Sequence, residues 1–150
     1  MITLASIKSE LGSLALRVAA FESQQTKTVV TTIMGTKIEL LDGEEYVGII
    51  AGAGRAHDII LLPGELESVN WKDAMSWAQS VGGELPDRCE SALLFATMKD
   101  RFKDAWYWTR EQHAALYGCA WGQGFASGTQ GSNHKYDYTR ARAVRRLPIE

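Results

Sequence analysis

The chain has 150 residues, 45% of them hydrophobic, which is enough for one domain with a sizeable core. Its formal net charge of −2 excludes the strongly basic balance that general affinity for nucleic acid or an anionic membrane requires. No apolar run approaches the roughly 20 residues that span a bilayer. The N-terminus does not read as a signal peptide, because Lys8 and Glu10 interrupt its apolar residues.

The expectation is therefore a product of a reducing cytoplasm, with no membrane partner and with Cys89 and Cys119 unpaired. Neither cysteine has a neighbouring histidine in the chain, which argues against a thiolate nucleophile.

The first segment carries the sharpest pattern. Leu4, Leu11 and Val18 fall at heptad position a, and Ile7, Leu14 and Phe21 at d. So narrow an apolar stripe is best covered by copies of itself, the alternative being an amphipathic helix that packs on its own domain. Arg17 at g and Glu22 at the following e suit parallel neighbours. Residues 1–25 are thus predicted to be an oligomerisation helix, dimer or trimer, with Ser23 to Lys27 as a polar linker to a domain over 28–150.

From Thr28 the apolar period changes. Thr28–Met34, Lys37–Leu41, Glu45–Ala51 and His57–Leu62 read as strands joined by Gly-rich turns. Asn70 is a good cap for a helix from Trp71 to about Val81. Asp87 with Glu90 forms the analogue of a capping box for a second helix. Ala105–Thr109, Cys119–Phe125 and Arg140–Leu147 read as strands again, with a loop from Ser127 to Tyr138 between the last two. Strands, then helices, then strands imply an α+β fold.

Several segments resemble, in order, a bacterial and phage family of unknown function. That family is related to the C-terminal domain of collagen-like bacterial adhesins and, more distantly, to C-type lectin-like domains. Gly82-Gly83-Glu84-Leu85-Pro86-Asp87-Arg88, followed by Glu90 and Leu93-Leu94, is similar to its "RLPT…E…L" element. Tyr107-Trp108-Thr109 resembles its "YWS" strand, and Ala120-Trp121-Gly122-Gln123-Gly124-Phe125 its "AW…F..G" segment. Ala141-Arg142-Ala143-Val144-Arg145-Arg146 resembles its terminal "RAVR" strand.

The resemblance covers about Ile33 to Ile149. It implies a C-type lectin-like fold, with two helices flanking a twisted antiparallel sheet and a binding surface on the late loops. It also implies a phage or prophage origin. The Glu-Pro-Asn or Gln-Pro-Asp loop and the Trp-Asn-Asp segment that hold calcium in sugar-binding lectins are absent from the sequence, so calcium-dependent sugar binding is not expected.

Candidate recognition residues follow the aromatics. Period two puts Trp106 and Trp108 on one face of their strand and Tyr107 on the other. The two tryptophans, or Tyr107 in their place, are expected in the core, and Trp121 with them. Tyr117, Tyr136 and Tyr138 lie in loop-like sequence and are binding candidates, with Arg110, Glu111, His113, Gln123, Asn133 and His134 around them. Gln112 could rim the same site.

His57, His113 and His134 lack metal-ligand spacing, and no paired carboxylates or phosphate-binding loop stand out, so no cofactor, metal or catalytic residue is expected. Gly122, Gly124, Gly128 and Gly131 are read as turn and bulge glycines. The acidic stretch from Glu39 to Glu67 is expected to pair with the arginines of the last strand, which leaves no basic strip for nucleic acid.

The leading expectation is a non-enzymatic binding protein that presents its loops on a homo-oligomer to a host or surface protein, in the host cytoplasm or on a phage particle. An intracellular phage-encoded inhibitor of a host defence protein is the alternative. An enzyme of the formylglycine-generating type is the third reading.

Overall fold

The computed structural model describes residues 2–25, 29–33, 35–52 and 54–149, with backbone alone for 21–25 and 29. The side chain of Phe21, the end of the expected linker and the expected strand limits Thr28 and Met34 lie outside the described residues. The chain is α+β and divides into two compact units, Met1–Gly43 and Glu44–Glu150. No helix among the described residues is long and apolar enough to cross a membrane.

The first unit holds α1 (Leu4–Gln25) and an antiparallel hairpin, β1 (Val29–Ile33) and β2 (Thr36–Leu40). Thr3 caps α1: its Oγ1 accepts from the Ser6 N–H at 3.1 Å. Every side chain from Ile2 to Ala20 is exposed. In the hairpin, Ile38 and Leu40 alternate with exposed neighbours and are buried.

The second unit contains two sheets. One is antiparallel, in the order β10 (Val144–Pro148), β4 (Arg55–Leu61), β3 (Glu45–Gly52). The other is mixed, in the order β5 (Leu66–Val69), β9 (Thr139–Ala141), β6 (Trp106–Gln112), β7 (Cys119–Gly124), β8 (Gln130–His134). Only β6 and β9 run parallel in it. Two helices, α2 (Trp71–Ser80) and α3 (Arg88–Met98), pack on this framework, and a short 3-10 turn, Lys99–Arg101, follows α3.

Both helix starts are set by the residues that the sequence points to. Asn70 Oδ1 accepts from the Asp73 N–H at 2.9 Å. Asp87 Oδ1 accepts from the Glu90 N–H at 2.8 Å, and Glu90 Oε1 accepts in return from the Asp87 N–H at 3.2 Å, which completes a capping box.

Two expectations about the late strands are corrected, and one earlier strand is added. The segment read as a loop from Ser127 to Tyr138 contains β8. Its residues, Gln-Gly-Ser-Asn-His, have poor strand propensity, and only pairing with β7 makes them a strand. The stretch read as one strand from Arg140 to Leu147 is two, and the chain changes sheet between them. Arg142 marks the break: its guanidinium donates to the carbonyls of Arg101 at 2.7 Å and Leu62 at 2.8 Å, while the Leu62 N–H donates to Ala143 O at 3.0 Å. β5 was not expected at all; its Leu-Glu-Ser-Val carries no periodic signal.

The core explains the aromatics. Trp108 lies under α2 with Ala74, Ala78, Leu85 and Ala120. Tyr107, on the opposite face, lies under α3 with Leu94, Phe125 and Ile59. Both faces of β6 are covered, so neighbours with opposite side-chain directions are both core.

Trp106 shares the face of Trp108 but stays 39% exposed, against the expectation for it. It lies over β7 and β8, where a Cβ on Gly122, Gly124 or Gly131 would come within 3.3 to 3.5 Å of its ring. Those three glycines are therefore neither turn nor bulge residues, because they make room for an indole. Gly128, with φ +82°, does sit in a turn.

The acidic and basic stretches pair within the unit. Arg145 meets Glu44 at 2.7 Å and Arg140 meets Glu65 at 3.2 Å. Arg146 turns instead to Glu84 and Glu90, outside the acidic stretch.

Candidate functional site

Alternation along β7 puts Cys119, Trp121 and Gln123 on one face, and their cross-strand partners on β8 are His134, Ser132 and Gln130. This is the face on which α3 packs. The first residue of α3, Arg88, lies over Trp121, its Cζ 3.7 Å from the ring centroid. His113, just past the end of β6, stacks on the same indole with centroids 5.1 Å apart and planes 22° apart. Trp121 is thus half-buried under polar groups and is not a core residue, against the expectation.

A chain of amides fixes this arrangement. Arg88 Nε donates to Gln130 Oε1 at 2.9 Å. Gln130 Nε2 donates to Arg88 O at 2.7 Å and to Gln123 Oε1 at 2.9 Å. Gln123 is 1% exposed, so this polar group is buried with its hydrogen bonds made. Glu111 Oε2 accepts from the Arg88 N–H at 2.6 Å.

A groove of ≈ 540 Å³ opens here, with Arg88, Ala92, Glu111, Gln123 and Gln130 in its wall. Glu111 also borders a second cleft of ≈ 300 Å³ between α2 and β6, with Met75, Leu85, Glu84 and Arg110. Arg110 Nη1 reaches Glu84 at 3.3 Å there.

Of the residues expected to bind, Glu111, His113, Gln123 and His134 come together on this face, and Arg110 lies in the adjoining cleft. His113 Nδ1 accepts from the N–H groups of Ala115 and Leu116, both at 3.1 Å, so the neutral ring carries its proton on Nε2. That contact shapes the turn displaying Tyr117.

Tyr117 and Tyr136 are 77% and 87% exposed, in neighbouring turns that the Lys135 N–H ties to Gly118 O at 2.8 Å. Lys135 also donates to Gln112 Oε1 and sits 4.6 Å from the centre of the Trp71 ring. Asn133 and Tyr138 are elsewhere. Asn133 pairs with Ala120 on the opposite face, and Tyr138 borders a cleft of ≈ 290 Å³ beside Trp106.

Sequence reasoning missed Arg88, Gln130 and the role of Trp121. The period of β7 aligns Trp121 with Gln123, but nothing local shows that residue 88 lies over residue 121. The cysteine argument is corrected too. Cys119 has a histidine neighbour in space: its Sγ is 3.9 Å from His134 Nδ1, across a cross-strand pair. Cys119 is buried and Cys89 exposed.

A second polar cluster is internal. Glu90 is fully buried and accepts from Arg146 Nε and Nη2, each at 2.9 Å at closest. His57 Nε2, buried without a hydrogen-bond partner among the described residues, is 4.0 Å from the same carboxylate. Burial pushes the Glu90 carboxyl up, and Arg146 opposes the shift. Burial, then Arg146, lowers the His57 imidazole. This cluster joins α3, β4 and β10, and its Arg146 borders a cleft of ≈ 310 Å³ with Gly82, Glu84 and Val144.

Among the described residues, no three His, Cys, Asp or Glu side chains converge as metal ligands would. No protein-family model matches the chain, and comparison with curated proteins gave no match.

Proposed function

We propose that the protein is a non-enzymatic binding protein of phage type: a C-type lectin-like domain over 28–150, carried on a coiled-coil helix over 1–25 that self-associates as a dimer or trimer. The observation that carries this reading is the exposure of the α1 seam. Leu4, Ile7, Leu11, Leu14 and Val18 are 68%, 42%, 60%, 53% and 47% exposed. An apolar stripe at heptad spacing left in water is covered most cheaply by the same stripe of another copy.

The lectin-like assignment is supported by the ordered motifs together with two helices packed on a mixed sheet. The recognition surface is the α3 face of β7 and β8, with the tyrosine turns beside it. Multiple copies strengthen weak single contacts.

Light scattering tests the reading. The native chain is expected at a multiple of the single-chain mass, and Leu11→Glu with Leu14→Glu at the single-chain mass, with the body melting unchanged. A native chain that is already monomeric removes the proposal. Affinity purification from host lysate then separates the ligands: capture of phage particle proteins supports a surface role, and one stoichiometric host protein supports the inhibitor.

A further inference from the structure

We propose that Arg88 is a carboxylate-binding residue, which reads an acidic group of the partner polypeptide in the groove between α3 and β8. The inference rests on the binding reading above and names the chemistry of that ligand.

Three observations carry it. First, among the described contacts the guanidinium is held in place without using its two terminal nitrogens. Trp121 lies under its Cζ at 3.7 Å, and Gln130 fixes Nε at 2.9 Å. Gln130 is itself held by Arg88 O and by the buried Gln123. A fixed, planar fork loses little freedom on binding a planar carboxylate through two parallel bonds.

Second, the charge is unspent. Arg101, Arg110, Arg140, Arg145 and Arg146 each meet a carboxylate. Among the described contacts the Arg88 side chain meets only the indole and a neutral amide.

Third, the fork borders a groove of ≈ 540 Å³, large enough for a side chain with its backbone. Glu111 on the same groove selects the kind of anion. It repels a bare anion but accepts from N–H donors, as it already does from Arg88 N–H at 2.6 Å. A peptide brings both groups: a carboxylate for Arg88 and a neighbouring amide N–H for Glu111. The carboxylate belongs either to an aspartate or glutamate side chain or to a chain terminus.

Three peptides titrated into the full chain test this, with the Arg88 Nε–H and Trp121 indole N–H signals followed by nuclear magnetic resonance. Acetyl-Gly-Asp-Gly-amide presents a side-chain carboxylate, acetyl-Gly-Gly-Gly with a free C-terminus presents a terminal one, and acetyl-Gly-Asn-Gly-amide is the neutral control. Saturable shifts with one or both acids, at least about tenfold tighter than the control, are expected. The acid that binds tighter identifies the source.

Arg88→Lys keeps the charge but loses the stacked fork, and is expected to bind about tenfold more weakly or worse. Equal binding of the control peptide, no saturation by either acid, or native-like binding by Arg88→Lys overturns the proposal. The control peptide makes this judgement on the native chain, whether or not the variant folds. A monomeric native chain sinks the oligomer reading and leaves these shifts untouched, so the two can fail separately.

Discussion

Arg88 and Gly83 show how far one residue's role depends on what lies across from it. Gly83 precedes the antiparallel bridge in which Glu84 N–H donates to Val144 O at 2.9 Å. A Cβ on Gly83 would overlap the Val144 carbonyl and stand 2.6 Å from Leu62 Cδ1. The carbonyl is backbone in a ladder and cannot rotate away. Gly83→Ala is expected to cost about 2–3 kcal/mol, read as a lowered urea midpoint at unchanged slope. An unchanged midpoint would mean that β10 shifts freely, contrary to its pairing with β4.

The sequence shows Gly82-Gly83 as the end of a helix, which is right for Gly82, at φ +87°. It does not show that Gly83 is needed for a close approach, because Val144 is far away in the chain. Trp121 repeats the lesson. An aromatic in a strand normally favours the core, yet Arg88 and His113 arrive from other elements and leave it half-buried.

At the scale of elements, α3 is the piece that brings Arg88 to the groove and Glu90 into the core. Its start depends on Asp87, whose carboxylate accepts from the Glu90 N–H. Burial lifts the Asp87 carboxyl, but its hydrogen bonds with Glu90, together with the charges of Arg110 and Arg146, hold it below the usual carboxylate range. Asp87→Ala is expected to destabilise the fold by about 1–2 kcal/mol in urea unfolding. It should also weaken the Arg88–Trp121 contact, seen as a shifted indole signal. A variant as stable as the native chain would show that Glu90 and Arg146 hold the helix start unaided.

Both helices and the first four strands were legible because capping residues and turn glycines act within a few positions of one another. The late strands were less so. β8 lacks strand-forming residues and exists through β7. β9 and β10 are contiguous in sequence but belong to different sheets, because Arg142 takes carbonyls from two other segments.

For the molecule as a whole, the joint of His57, Glu90 and Arg146 links α3 to the two strands β4 and β10. His57 has Arg146, Asp87, Arg55, Arg110 and Glu90 around it. Burial first, then Arg146, holds its imidazole below the ordinary value of 6.5. The unfolded chain therefore takes up a proton near that pH which the folded chain refuses. The contribution to stability is present above about pH 6.5 and is lost as pH falls through the folded value. Urea unfolding between pH 5 and 8 is expected to show a shallower acid decline for His57→Gln than for the native chain. Parallel curves would assign the acid sensitivity to other groups.

The sequence by itself determined the α+β class, the amphipathic first helix, the helix caps and the aromatic character of the later half. These depend on spacing and on contacts a few residues apart, which the order of the chain already contains. Only the tertiary structure decided which tryptophan is core, where the chain leaves one sheet for the other, and that Arg88 meets Trp121, Gln130 and Glu111. The physical reason is that burial, stacking and the partners of a charge are properties of pairs far apart in the chain, and only the folded sheet brings such pairs together.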